Sequence, residues 1–248
     1  MNQAGIPSDP CRSPDGAQAQ LAEVRRIGIP LLDGFSLAEF ALVLDSLHAA
    51  NELARRQCYA IVVISLEQTI VRSGAGIALK ADMPIAAMDK VDELIVIGNR
   101  WGIEQVGSRA IARLRLMANR GAVVCGLSNG VFLLARAGLL NSQRCAVHWL
   151  YHDAFREAFP SLETTTQVFH VARSAITCVG GAATLDLMVA RIAADRGWPL
   201  ALAVSDVNRR PKLTPYRRAI LTPWLAGWGA RRRCAEPLRS AAHRRRAH

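Results

Sequence analysis

The chain has 248 residues, 51% of them hydrophobic, and a formal net charge of +11; it is long and apolar enough to bury a sizeable core, which excludes a disordered polar chain. The charge is localised: residues 209–248 hold 12 Lys or Arg and one acid, Glu236, while residues 1–208 hold 19 bases and 19 acids, so the body is neutral. No apolar run reaches the length of a bilayer span and the start lacks a basic-then-apolar signal pattern, so a cytoplasmic protein with no membrane partner is expected.

Residues 1–23 are rich in Gly, Pro, Ser, Gln and Asp without periodicity and read as a flexible leader. Residues 26–32, RIGIPLL, predict a first strand, ended by Asp33-Gly34. Ser36 then fits a helix N-cap, and Glu39 three residues on completes a capping-box pattern. Phe40, Val43, Leu44, Leu47 and Ala50 continue it as an apolar helical stripe to about residue 53. Glu39 also suits an acid aimed at a site at the strand's carboxyl end; the spacing favours the cap. Residues 59–66 are a nearly continuous apolar run, as for a strand covered on both faces. Residues 69–72 and 77–80 flank a Ser-Gly-Ala-Gly turn and predict a small hairpin. Residues 93–97 are another buried strand, closed by Gly98-Asn99, and 105–119 a helix with Ile111, Leu114 and Met117 on one side.

The chain is organised around residues 121–140, GAVVCGLSNGVFLLARAGLL. A short apolar strand leads into a sharp Gly126-Leu127-Ser128-Asn129-Gly130 turn, and Val131, Leu134, Ala135, Gly138 and Leu139 recur at helical spacing. Such a strand–turn–helix holds a side chain above the carboxyl end of a sheet, where ligands bind in open α/β folds. By spacing alone Ser128 reads as an N-cap before it reads as a nucleophile. Residues 144–148 form a short strand that brings His148 to its end, and 149–159 a helix stopped by Pro160. Residues 168–171 and 175–179 are two more strands, Gly180-Gly181-Ala182-Ala183-Thr184 opens a helix carrying Leu185, Met188, Val189 and Ile192, and Pro199 starts a last helix to about residue 207. Strands alternating with helices predict an α/β domain with parallel core strands. After Asn208 this pattern stops: residues 209–248 read as a basic, disordered tail, and the apolar stretch 221–228 is broken by Pro223 and two glycines.

The runs LDGFS (32–36), LHAAN (47–51), CGLSNGVFLLARAGLL (125–140), VHW (147–149) and TCVGG (177–181) resemble the N-terminal domain of GlxA-type AraC-family transcriptional regulators. That domain belongs to the ThiJ/PfpI branch of the class I glutamine amidotransferase-like fold. The resemblance covers about residues 25–208. It implies a flavodoxin-like three-layer sandwich with a mostly parallel central sheet. It also implies a non-catalytic domain that senses a small molecule, an amino acid or related amine, and works as a homodimer. In full-length members a helix-turn-helix domain follows.

Two departures from the family stand out. Its amidase and protease members carry a cysteine at the elbow; here Ser128 occupies that position and Cys125 falls three residues earlier, inside the strand. A serine needs a strong positioned base, unlike a thiol. His148 lies where the family places a histidine, but no obvious acid orients it beyond the candidate Asp153. The second departure is residues 209–248, which lack the patterned helices of a helix-turn-helix. Their Arg- and Ala-rich composition suits a truncated or frame-shifted reading, with DNA as a partner only where the missing domain is present, or else a basic arm contacting phosphates without sequence preference.

Two functions follow. A sensor would bind its ligand between the loops after Leu32, Ile97 and Cys125, with Asn99, Ser128, Asn129 and His148 as polar contacts, Phe35 and Trp149 as apolar walls, and backbone N–H groups at 128–130 for a carboxylate. A PfpI-like amidase or hydrolase would use Ser128 and His148, with the Asn129 N–H as oxyanion donor. No metal or cofactor is expected. The six histidines, His48, His148, His152, His170, His243 and His248, lack ligand spacing, and no phosphate-cradling glycine loop is present. The six cysteines, Cys11, Cys58, Cys125, Cys145, Cys178 and Cys234, contain no CxxC pair and read as buried thiols.

Overall fold

The computed structural model describes residues 23–98, 106–140, 144–172 and 175–208. The readings made on the leader, on Asn99, on Cys11 and Cys234 and on residues 209–248 therefore lie outside the described residues, apart from residue 23. Seven strands form one sheet in the order β10-β11-β7-β6-β1-β2-β5. They are β1 (Arg25–Leu31), β2 (Tyr59–Ser65), β5 (Met83–Pro84), β6 (Glu93–Ile97), β7 (Val123–Leu127), β10 (Phe169–Val171) and β11 (Ala175–Cys178). Every pairing is parallel except that of β10 with β11. The hairpin β3 (Ile70–Arg72) with β4 (Ala78–Lys80) stands apart, as does the parallel pair β8 (Cys145–Ala146) with β9 (Thr164–Thr165).

Strand side chains alternate between two cores, because successive residues of a strand face opposite ways. Ile27, Ile29 and Leu31 of β1, Ile95 and Ile97 of β6, and Cys125 and Leu127 of β7 fill one core. They pack there with α1 (Leu37–Leu53), α5 (Ala183–Arg196) and α6 (Trp198–Val207). Leu94, Val96 and Val124 fill the other, with α2 (Ser108–Asn119), α3 (Gly130–Arg136) and Phe155 of α4 (His152–Ala158). The layers are those of a flavodoxin-like sandwich, as expected, and the continuous apolar runs of β1, β6 and β7 follow from burial on both faces. The helix expected over 105–119 is described from Ser108 onward. That over 149–159 is a 3₁₀ turn (Trp149–Tyr151) followed by α4. Among the described residues, no helix is long and apolar enough to cross a membrane.

The amino ends of the parallel strands are tied together by buried charge. Arg25 pairs with Asp195 at 3.1 Å and with Glu93 at 3.5 Å, and Arg191 pairs with Asp195 at 2.6 Å and with Glu93. Arg191 and Glu93 have almost no exposed surface. Four charges removed from water hold together only because each meets an opposite one. This cluster anchors the last turns of α5 to β1 and β6 and leaves the carboxyl ends of the strands to build the site.

Candidate functional site

β7 ends at Leu127 and α3 begins at Gly130, so the backbone must reverse within two residues. Ser128 takes the bend at φ 51°, a left-handed conformation that costs a non-glycine residue roughly 1–3 kcal/mol. Its N–H donates to the Cys178 carbonyl at 2.9 Å, which pins the bend to β11. Gly98, at the end of β6, lets the turn pack close: a Cβ there would sit only 2.5 Å from the Asn129 nitrogen. The expectation that Ser128 caps the helix is corrected. The cap position of α3 is Asn129, without a side-chain cap bond, and a left-handed residue one position earlier cannot aim its hydroxyl at the first-turn N–H groups as an extended N-cap does. Ser128 is half-buried.

Glu39 completes the elbow. Ser36 caps α1 as predicted, its Oγ accepting from the Glu39 N–H at 3.4 Å. The other half of the capping box does not form: the Ser36 N–H donates to the Gly98 carbonyl at 3.2 Å. The Glu39 carboxylate instead turns to the elbow, where its Oε1 accepts from the Gly181 N–H at 2.9 Å. Gly180 makes this meeting sterically feasible. It sits at φ 83°, and a Cβ on it would overlap the Glu39 carboxylate and come within 2.8 Å of Ser128 Cβ. Glu39 is only 4% exposed. Burial raises its pKa to about 7, against the opposing pull of the Gly181 hydrogen bond. Its second oxygen is buried and has no hydrogen-bond partner among the described residues. The signal for Glu39 was present in the sequence as an acid just beyond the first strand's carboxyl end, but a capping acid has the same spacing.

Of the remaining predicted residues, none among the described residues makes a side-chain hydrogen bond to Ser128. His148 is half-buried and caps the 3₁₀ turn; its Nδ1 accepts from the Leu150 N–H at 3.3 Å, and its ring lies beside Trp149 and Tyr151. Among the described residues no hydrogen bond joins His148 to Ser128 or to Asp153, which is exposed on α4. Trp149 is 76% exposed. Phe35 is fully buried edge-on against Phe40 and presents no surface to a ligand. Asn129 is buried in the turn. Cys58, Cys125, Cys145 and Cys178 are buried, and none is in a disulfide among the described residues, as expected. Burial pushes Cys145 up to about 11 and Cys125 well above the ordinary thiol range, so the strand sulfur near the elbow is not a ready thiolate. Among the described residues no three His, Cys, Asp or Glu side chains group as a metal site.

Chemically, the elbow offers one constrained hydroxyl, one buried carboxyl group and a tight glycine turn, with no base in hydrogen-bonding reach of the hydroxyl among the described residues. The DJ-1/PfpI family matches residues 25–193. The HTH-type transcriptional regulator GbdR of Pseudomonas aeruginosa is 32% identical over 192 residues, 77% of this chain and 52% of that protein. The HTH-type transcriptional regulator GlxA of Rhizobium meliloti is 34% identical over 191 residues, 77% of this chain and 59% of that protein. The chain thus spans about half the length of the curated relatives it matches. An AraC family transcriptional regulator from Pseudomonas putida, known by crystal structure, superposes with a TM-score of 0.67 at 28% identity, covering 74% of this chain and 99% of that one. A ThiJ/PfpI family protein from Pseudomonas syringae shares the fold, with a TM-score of 0.68 at 17% identity over 90% of this chain and 96% of its own. The chain belongs to the DJ-1/PfpI family, and HTH-type transcriptional regulators are among its relatives over that domain.

Proposed function

We propose that residues 24–208 are the small-molecule-sensing domain of an AraC/GlxA-type transcriptional regulator, with an amino acid or related amine as its ligand. The domain acts as a homodimer in the cytoplasm and reaches DNA through a helix-turn-helix partner domain of the kind its relatives' names denote. The observation that carries this reading is the composition of the elbow. Ser128 is strained into position and Glu39 is buried beside it, yet the His148 imidazole is engaged with Leu150. A serine without a base is a poor nucleophile but a good hydrogen-bonding contact. Calorimetric titration of the full chain with a panel of L-amino acids, amines and betaines tests it. One saturable ligand recovered chemically unchanged is the expected result, and a panel with no binder overturns it.

A second reading, a PfpI-like hydrolase using Ser128 and His148, is favoured by one feature: the left-handed φ of Ser128 is the strain expected of a nucleophile elbow. Stoichiometric labelling by a serine-reactive acylating probe, lost in Ser128→Ala, would support it over the sensor.

A further inference from the structure

Helix α2 has a face that neither reading above uses. Residues 106–124 hold Arg109, Arg113, Arg115 and Arg120 and no Asp or Glu, although residues 1–208 as a whole are neutral. Ala110, Ile111, Leu114 and Met117 bury the other side of the helix in the core, so the arginines line the flanks of the solvent face. At about 3.6 residues and 5.4 Å per turn, Arg109, Arg113 and Arg120 lie within about 40° of one another in a row roughly 16 Å long, with Arg115 on the opposite flank.

Three of these guanidinium groups are held in place. Arg113 donates from Nε to the Ile85 carbonyl at 3.4 Å and from Nη2 to the Ala86 and Met88 carbonyls at 2.7 and 2.8 Å. Arg120 donates from Nη1 to the Asp89 carbonyl at 3.1 Å, and Arg115 from Nε to the Ala137 carbonyl at 2.6 Å and from Nη2 to that of Arg136 at 3.4 Å. A backbone carbonyl orients a guanidinium without neutralising it, and an arginine with five N–H donors keeps some to spare. None of the four arginines of α2 makes an ion pair among the described residues. Arg109 is exposed in the first turn, at the positive end of the helix dipole, where a cation is disfavoured; helix stability does not account for it. Lys90 and Arg136 are exposed beside the helix. Two acids also stand there: Glu67, whose Oε1 accepts from the Gly107 N–H, and Asp89.

We propose that the arginine face of α2 docks on the phosphate backbone of double-stranded DNA, so that the domain itself touches the duplex. The choice of DNA among polyanions rests on the regulator reading above; the ligand of the elbow plays no part in it. A duplex carries one negative charge per about 1.7 Å of its axis, so a row of this length spans about nine of them. Guanidinium groups take phosphate oxygens in pairs, and groups already held by carbonyls lose little freedom on docking. Such contacts position a protein on the duplex without reading its bases. A lipid surface fits less well. Between the arginine flanks the face shows exposed Ala112 and Asn119 and half-buried Leu116, which leaves little apolar bulk to insert.

The test is fluorescence anisotropy of the full chain with a labelled DNA duplex of arbitrary sequence, over a series of salt concentrations. Arg109→Gln with Arg120→Gln removes two phosphate contacts. It should flatten the slope of log affinity against log salt by about two and weaken binding about 60-fold at about 0.1 M salt, without moving the urea unfolding midpoint. Arg109→Lys with Arg120→Lys keeps the charge and should keep the slope. In wild type, DNA should protect Arg109 and Arg120 from phenylglyoxal, read by peptide mass spectrometry. An unchanged slope in the Gln variant would assign the binding to residues 209–248 and overturn the proposal. An equal loss in the Lys variant, or modification of Arg109 and Arg120 as fast with DNA as without, would also overturn it. Equal protection by sodium polyglutamate or by phosphatidylglycerol vesicles would overturn the assignment to DNA. A small-molecule panel with no binder would overturn the sensor and leave the arginine face standing.

Discussion

Glu39 shows how one side chain can carry a pH dependence for the whole domain. Its folded-state pKa of about 7 lies above its ordinary value of 4.5. The native state thus holds the proton more tightly than the unfolded chain. Below about pH 4.5 both states are protonated and the group is neutral to stability. As pH rises from 4.5 to 7 the unfolded chain ionises first, and stability falls by about 3 kcal/mol before levelling off. Urea unfolding of Glu39→Gln should match wild type near pH 4 and exceed it by about 3 kcal/mol near pH 8; a difference constant with pH would contradict the assignment. The elbow was legible in the sequence, because Gly126, Gly130 and the apolar runs around them leave few other local geometries. The role of Glu39 was not. A capping acid and a site acid stand at the same spacing after Ser36, and only the meeting with Gly181, 142 residues on, separates them. His148 could be placed at a strand end but not oriented from sequence; its Nδ1 accepts from the Leu150 N–H in the next turn.

α5 links the two ends of the sheet. Its entry, at Gly180 and Gly181, closes the elbow around Glu39, and its last turns carry Arg191 and Asp195 into the buried charge cluster. In sequence these two residues form an i,i+4 pair of the kind common on exposed helix faces. Only the tertiary packing against Glu93 and Arg25 shows that they are buried. Removing one partner strands the others, so Arg191→Met should cost about 3–5 kcal/mol in chemical denaturation. Replacing all four, Arg25, Arg191, Glu93 and Asp195, together by apolar residues of similar volume should cost less than the single change. A single change within 0.5 kcal/mol of wild type would show that the cluster is solvated in solution. The long elements were readable because each carries a full period of pattern. β5, β8 and β9 have two residues each, too few to show alternation, and the antiparallel direction of β10 is set by its pairing with β11, not by its composition.

At the scale of the molecule, a neutral body carries the elbow, and the positive excess belongs to residues 209–248. Attraction of the whole chain to polyanions is therefore no evidence about the elbow, and binding at the elbow has to be read from the domain's own stability. A ligand that binds only the folded state raises the unfolding free energy by about 2.7 kcal/mol at 100 times its dissociation constant. The most direct measurement is the unfolding midpoint of the full chain, wild type beside Ser128→Ala, against rising concentrations of the tightest amino-acid or betaine ligand. The account predicts a concentration-dependent rise in wild type that is largely lost in Ser128→Ala. An equal rise in both proteins would place the ligand elsewhere and contradict it.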